Sequence, residues 1–160
     1  MHRPSRSITV LAMSEDFNAL IPELPEWNDG RGVDPLTWIE CVGNYELAVG
    51  YSLLFWPRFA VIDDYVLRAA TRVETLRGWQ REGYDRAAIE AVINHVHMAD
   101  VHNDAEPTEA QLRYLGRVLK QTHELKLAAD FPERRFVVSF SDEPDLDVMD
   151  YELTFWQADA

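Results

Sequence analysis

The segment from Asp34 to Pro57 constrains the fold of this chain more than any other, because it is almost entirely apolar and carries helix signals at both ends. Asp34 followed by Pro35 is a strong helix start, an N-cap carboxylate before a proline in the first turn. Pro57 ends the pattern, since proline cannot continue a helix. Apolar side chains cover most of this predicted helix, residues 35–56, so the sequence predicts a central helix that is buried on most sides.

Shorter helical patterns surround this segment. They comprise a polar surface helix over 71–81, a helix capped by Asp85 from 86 to about 101, and a helix from Thr108, with Gln111 completing a capping box, to about 129. Residues 58–68 hold two β-favouring runs around Asp63 and Asp64, and fit either a hairpin or a continued helix.

The end of the sequence is typical of β-structure. Residues 135–140 and 151–156 are β-branched and aromatic runs that predict an antiparallel hairpin, with the N-terminal arm at 7–13 as a third strand. The predicted fold class is therefore α+β and predominantly helical: amphipathic helices pack on the central buried helix beside a small antiparallel C-terminal hairpin or sheet. A single domain over 1–160 is expected, with arm and loop in 1–34, helical core in 35–130 and hairpin in 135–157.

The net charge restricts the partners. Fifteen Lys and Arg stand against 28 Asp and Glu, a formal net charge of −13, which repels nucleic acids and anionic membranes and attracts a basic protein. No apolar run reaches the roughly 20 residues that span a bilayer. A single cysteine, Cys41, excludes an internal disulfide and is predicted to be a buried core residue. These features favour a cytoplasmic protein.

A histidine-rich stretch, residues 94–104, is the first candidate site. Read as the end of a helix, it places His95 and His97 about 160° apart, too far round to share a metal ion. No second His/Cys cluster has diagnostic spacing, so neither a metal site nor a cofactor is predicted. His97, Asp100 and His102 remain candidates for acid–base chemistry, against the alternative that they cap the helix end.

Two carboxylates on apolar helix faces extend this candidate site. Glu46 and Asp100 project among apolar neighbours, and a buried carboxylate is costly unless it is paired. The hypothesis is that one of them meets a histidine or an arginine between helices, as a structural lock or as the floor of a pocket.

An acidic loop between the two C-terminal strands is the second candidate, a docking surface for a basic partner. Calcium binding is disfavoured because the glycine and terminal glutamate of an EF-hand are missing. Tyr151 is expected to add an aromatic anchor. The predicted binding residues are Asp142, Glu143, Asp145, Asp147, Asp150 and Trp156.

Familiar enzyme motifs are absent: the sequence has no phosphate-binding glycine loop, nucleophile elbow, HExxH or CxxC. The leading hypothesis is a non-enzymatic interaction module for a basic partner, comparable in charge and size, and not in sequence, to small acidic inhibitor or immunity proteins. The alternative is a small metal-dependent or acid–base enzyme with its site at His95–His102. Self-association is left open.

Overall fold

The computed structural model describes residues 15–102 and 106–158, which form an α+β fold with two small antiparallel sheets, as the sequence predicts. The chain divides into two compact units, Met1–Gly43 and Asn44–Ala160. The predicted strand at 7–13 lies outside the described residues. No described helix is both long enough and apolar enough to cross a membrane.

The first unit consists of short helices packed around Leu20 and Leu24. Residues 22–35 hold two single turns, and the predicted start at Asp34 is confirmed: its carboxylate accepts the backbone N–H groups of Leu36 at 3.0 Å and Thr37 at 3.1 Å. The helices are α1 (Phe17–Leu20), α2 (Trp27–Gly30) and α3 (Pro35–Val42).

The predicted continuous helix over 35–56 is wrong. It ends at Val42, Gly43 takes up extended backbone, and the Asn44 side chain caps a new helix, α4 (Tyr45–Phe55), by accepting the Leu47 N–H at 2.8 Å. Neither α3 nor α4 contains a buried residue, so the expected central buried helix is also wrong. Cys41, predicted to lie in the core, is exposed.

The second unit begins with a hairpin, which decides the ambiguity at 58–68. Strands β1 (Phe59–Ile62) and β2 (Tyr65–Arg68) pair in antiparallel register. Asp63 and Asp64 turn the chain with φ angles of 49° and 72°, the left-handed conformation that two-residue hairpin turns require. Helices α5 (Val73–Arg81) and α6 (Arg86–Ile93) follow, and Leu76 and Ile89 pack with Leu67 of the hairpin.

The predicted helix from 86 to about 101 ends early, at Ile93. Asn94 is completely buried and donates to the carbonyls of Val66 at 3.0 Å and Phe155 at 3.2 Å. These bonds tie Asn94 to two strands, so the chain leaves the helix. It continues as β3 (Val96–His97) and a 3₁₀ turn, Met98–Val101.

The remaining elements agree with the sequence. Helix α7 (Glu109–Asp130) has the predicted capping box of Thr108 and Gln111. Strands β4 (Phe136–Phe140) and β5 (Glu152–Gln157) form the predicted antiparallel pair, and β3 joins them in the order β3-β5-β4. The main core of this unit lies between α7 and the sheet, around Leu119, Leu153 and Phe155.

Candidate functional site

A cavity of about 490 Å³ in the second unit collects the side chains that the sequence singled out. All four candidate catalytic residues, Glu46, His97, Asp100 and His102, line it. We call it the histidine pocket. Its full lining is Glu46, Leu47, Gly50, Tyr51 and Leu54 from α4, Arg68 from β2, and His95, Val96, His97, Asp100, Val101 and His102 from the chain around β3.

The two neighbouring histidines approach each other closely. The ring centroids of His95 and His97 are 5.0 Å apart and the rings are nearly perpendicular. The predicted separation of about 160° is wrong because the chain is extended here, and in extended backbone side chains two residues apart point to the same side. Extended backbone therefore brings together two rings that a helix would have separated.

The hydrogen bonds of these rings fix their tautomers. Nδ1 of His95 lies 2.5 Å from the Val92 carbonyl oxygen, and Nδ1 of His97 lies 2.7 Å from that of Met149. A carbonyl only accepts, so Nδ1 is the donor in both rings and Nε2 of each neutral ring carries a lone pair. His97 also lies 3.8 Å from the Glu152 carboxylate. In a neutral ring, Nε2 can accept a hydrogen bond.

Glu46 and Asp100 do not form the predicted buried lock. Both are exposed, and neither forms an ion pair with a described residue. The prediction that Glu46 and Asp100 lie on buried apolar faces required continuous, packed helices over 35–56 and 86–101. Neither of these helices is continuous in the structure. Both carboxylates line the histidine pocket, the other outcome that the sequence allowed.

The buried carboxylate is Glu90, which sequence reasoning did not select. Its side chain is fully buried in α6. Oε1 accepts the Val66 N–H at 2.7 Å and the Gln157 side-chain amide at 2.6 Å, and Oε2 accepts the Gln157 backbone N–H at 2.6 Å. Glu90 thus joins the β1–β2 hairpin to β5. The sequence feature that could have pointed to Glu90 is its position one helical turn before Asn94. In the structure, Asn94 bonds to the same two strands.

Arg68 is a second residue that the sequence did not select. It lies at the end of β2, half-buried, and its guanidinium has no hydrogen bond or ion pair with any residue in 15–102 or 106–158. Burial lowers its pKa from the usual arginine value. The Arg68 charge also helps lower the pKa of buried His123, for which desolvation is the main cause.

The described residues offer no arrangement of three His, Cys, Asp or Glu side chains that would hold a metal ion. His102 lies at the pocket with its ring 6.3 Å from that of Tyr51. Residues 103–105, the end of the histidine-rich stretch, lie outside the described part of the chain.

The acidic loop has one structural carboxylate and several exposed ones. Asp142 accepts hydrogen bonds from Nε of Arg113 at 2.9 Å and Nε of Arg117 at 2.8 Å, so it anchors the loop to α7. Burial acts to raise the pKa of Asp142, but the hydrogen bonds from Arg117 and Arg113 outweigh it and leave the pKa below the ordinary value. Four carboxylates are exposed: Glu143, Asp145, Asp147 and Asp150.

The aromatic residues near the loop lie elsewhere than expected. Tyr151, the expected anchor, is only 1% exposed and belongs to the core. Trp156 is half-buried on β5, opposite Val137 of β4, four residues along the strand from Glu152 and therefore roughly 13 Å from the loop.

The loop itself exposes two apolar side chains, Val148 and Met149, each 49% exposed, and α4 exposes a row of them. One face of this helix carries Tyr45, Val49 and Leu53, which at about 100° per residue lie within roughly 80° of each other. We call these three residues, together with Trp56 directly after the helix, the apolar stripe. The exposed fractions of these side chains are 89% for Tyr45, 63% for Val49, 56% for Leu53 and 52% for Trp56. The helix is held to the core by Leu54 and Phe55.

The chain matches no protein-family model, no curated protein and no solved structure. The roles of the histidine pocket and the apolar stripe therefore have to be inferred from their own geometry and chemistry.

Proposed function

We propose that this chain is a non-enzymatic interaction module of the cytoplasm that binds a basic protein partner through the apolar stripe of α4. The observation that carries the proposal is the exposure of Tyr45, Val49 and Leu53 on one face of α4, with exposed Trp56 directly after the helix. Contiguous apolar surface on one side of a helix is typical of helix faces that a partner covers, and aromatic residues are the usual anchors of such interfaces.

The exposed apolar side chains of this face are costly to hydrate. Apolar surface gains roughly 25 cal/mol for each Å² that is removed from water. The exposed surface of the stripe is not buried in the core, because α4 packs on the core through Leu54 and Phe55. A partner that covers the stripe recovers this free energy without disturbing the packing of the second unit.

The charge determines which partner fits. Helix α4 has one charged residue, Glu46, and no lysine or arginine. A basic group, the Lys126 ammonium of α7, lies 5.7 Å from the centroid of the Trp56 ring. The four exposed carboxylates of the acidic loop add to the field of the second unit, within a net charge of −13. Such a field steers basic partners and repels acidic ones, and both effects weaken with salt.

The test uses a defined peptide: an amphipathic helix of leucines and lysines, with a leucine–glutamate peptide of the same pattern as its matched partner. We expect calorimetry to show micromolar binding of the lysine peptide only, weakening as salt rises. The double variant V49S/L53S should weaken binding about tenfold or more, because it removes two apolar contacts. V61S is the control variant, since Val61 is 49% exposed on β1, outside the stripe.

Three results would contradict this proposal. One is equal binding of the two peptides. Another is equal binding of the lysine peptide to V49S/L53S and V61S. The third is a dimer in light scattering that V49S/L53S dissociates, which would make a second copy of the chain the occupant of the stripe.

A second candidate function, a small acid–base enzyme, is favoured by the histidine pocket. The Nδ1 bonds of His95 and His97 leave the Nε2 atoms of the two neutral rings as acceptors, and both residues line a cavity together with Asp100 and His102. Two adjacent imidazoles beside carboxylates are suited to take a proton from a bound hydroxyl or water and return it to a leaving group.

Model esters and phosphate esters test this candidate. We expect hydrolysis above the buffer rate near pH 7, reduced about a hundredfold in H97Q, because general-base catalysis is worth 10² or more. V61S again serves as the control. An unchanged rate in H95Q and H97Q would show that the pocket is not catalytic.

A further inference from the structure

The histidine pocket contains opposite charges that do not pair with each other. Arg68, Glu46 and Asp100 all line it, yet no guanidinium nitrogen of Arg68 comes within 4.0 Å of either carboxylate. A cavity of about 490 Å³ has room for a small molecule, and ligand pockets are typically of this size. The pocket is therefore arranged to hold a ligand that carries both signs.

Arg68 differs from the other arginines of the described chain. The other arginines that are half-buried reach a carboxylate, as Arg86 and Arg134 do with Asp64 at 3.1 and 2.9 Å. Those without a carboxylate partner are exposed and hydrated: Arg58, Arg72, Arg81 and Arg135. Arg68 alone among the described arginines is half-buried and unpaired, and such a charge is costly until an anion reaches it.

Several polar groups of the pocket can accept hydrogen bonds. They are the Glu46 and Asp100 carboxylates and the Nε2 atoms of the neutral His95 and His97 rings. A dianion such as phosphate would be repelled by the two carboxylates, and a simple cation would be repelled by Arg68. A ligand with one carboxylate and one ammonium group satisfies both sides.

We infer that the histidine pocket binds a small zwitterion of the α-amino-acid class, with its carboxylate on the Arg68 guanidinium and its ammonium group among Glu46, Asp100 and the histidine Nε2 atoms. An arginine fork matches a carboxylate with two parallel hydrogen bonds. The inference stands apart from the protein partner proposed above, and it requires binding and not turnover.

Calorimetry of the native protein with each of the twenty amino acids tests it. For the amino acid that binds best, the probes are its N-acetyl derivative, which lacks the ammonium group, and its decarboxylated amine. We expect both to bind about tenfold more weakly, because each loses one charged contact. Imidazole ¹⁵N shifts of His95 and His97 should move on addition of the amino acid.

Variants identify the contacts. R68Q should weaken binding about tenfold or more and R68K less, while D100N should reduce the preference for the free amino acid over its N-acetyl form. R135Q is the matched control, since it removes an equally unpaired but exposed arginine. Circular dichroism confirms that each variant is folded.

Three outcomes would overturn the inference: no amino acid binding at 10 mM (about 2.7 kcal/mol of affinity), equal binding of the amino acid and its N-acetyl derivative, or tighter binding of inorganic phosphate. None of them affects the lysine-peptide experiment on the apolar stripe, so the two proposals fail separately. Loss of binding in R135Q as in R68Q would assign the effect to net charge and reject the pocket.

Discussion

Replacing Glu90 by leucine is expected to lower the free energy of unfolding by about 3–5 kcal/mol, as measured by urea denaturation. The carboxylate is fully buried and accepts three hydrogen bonds, from the Val66 N–H and from the backbone and side-chain N–H groups of Gln157. Leucine has nearly the same size but accepts none, so three buried donors lose their partner. Each such donor costs about 1–3 kcal/mol.

Two matched variants isolate this effect. E90Q keeps one acceptor oxygen but turns an amide nitrogen toward a donor. It should therefore lower the free energy of unfolding, but by less than E90L does. E74L replaces an exposed glutamate of α5 and should change stability by about 0.5 kcal/mol or less. If E90L and E74L unfold at the same urea concentration, the three hydrogen bonds do not hold the hairpin to β5.

Acidification from pH 6.5 to pH 4 should remove about 3 kcal/mol of stability through His123. Its ring is buried against Phe59 and Phe155, with Nδ1 2.9 Å from the Leu119 carbonyl oxygen. Desolvation, helped by the Arg68 charge, lowers its pKa from 6.5 to about 4. Between these two pH values the unfolded chain binds a proton at His123 that the folded chain does not bind. The contribution of His123 to the free energy of unfolding is therefore fully present above pH 6.5 and falls as the pH drops toward 4.

The variant H123L separates this contribution from the other charges. It should keep most of its stability at pH 7.5, because leucine suits the apolar surroundings, and its stability should vary less between pH 6.5 and 4 than that of the native chain. Asp142, whose pKa lies below the ordinary value, loses its contribution at still lower pH and does not overlap. Parallel pH profiles for the two proteins would assign the acid sensitivity to other groups.

The elements that local signals define were predictable from the sequence. The Asp34–Pro35 start, the Thr108 capping box and the β4–β5 pair all appear where propensity and capping chemistry put them. Gly43–Asn44 was overlooked, although a glycine followed by an N-cap residue marks the end of one helix and the start of the next. Periodicity continued across that pair, and the burial inferred from it was wrong.

The geometry of the histidine pocket could not be predicted from the sequence. Glu46, His97, Asp100 and His102 do line one cavity, but His95 and His97 approach because the chain is extended there. That change of backbone depends on Asn94, whose partners Val66 and Phe155 are distant in sequence. No local pattern encodes such contacts, and Arg68 was missed for the same reason.

The bonds between Glu90 and Gln157 have a consequence for biosynthesis. They span 67 residues, so α6 emerges from the ribosome well before the strand that satisfies its buried carboxylate. Until β5 has been made, Glu90 has only the Val66 N–H of the earlier hairpin as a partner. If the second unit folded before β5 was made, it would bury a carboxylate that lacks two of its three hydrogen bonds, which is unfavourable. This favours folding late, as one cooperative step, over folding piece by piece during translation.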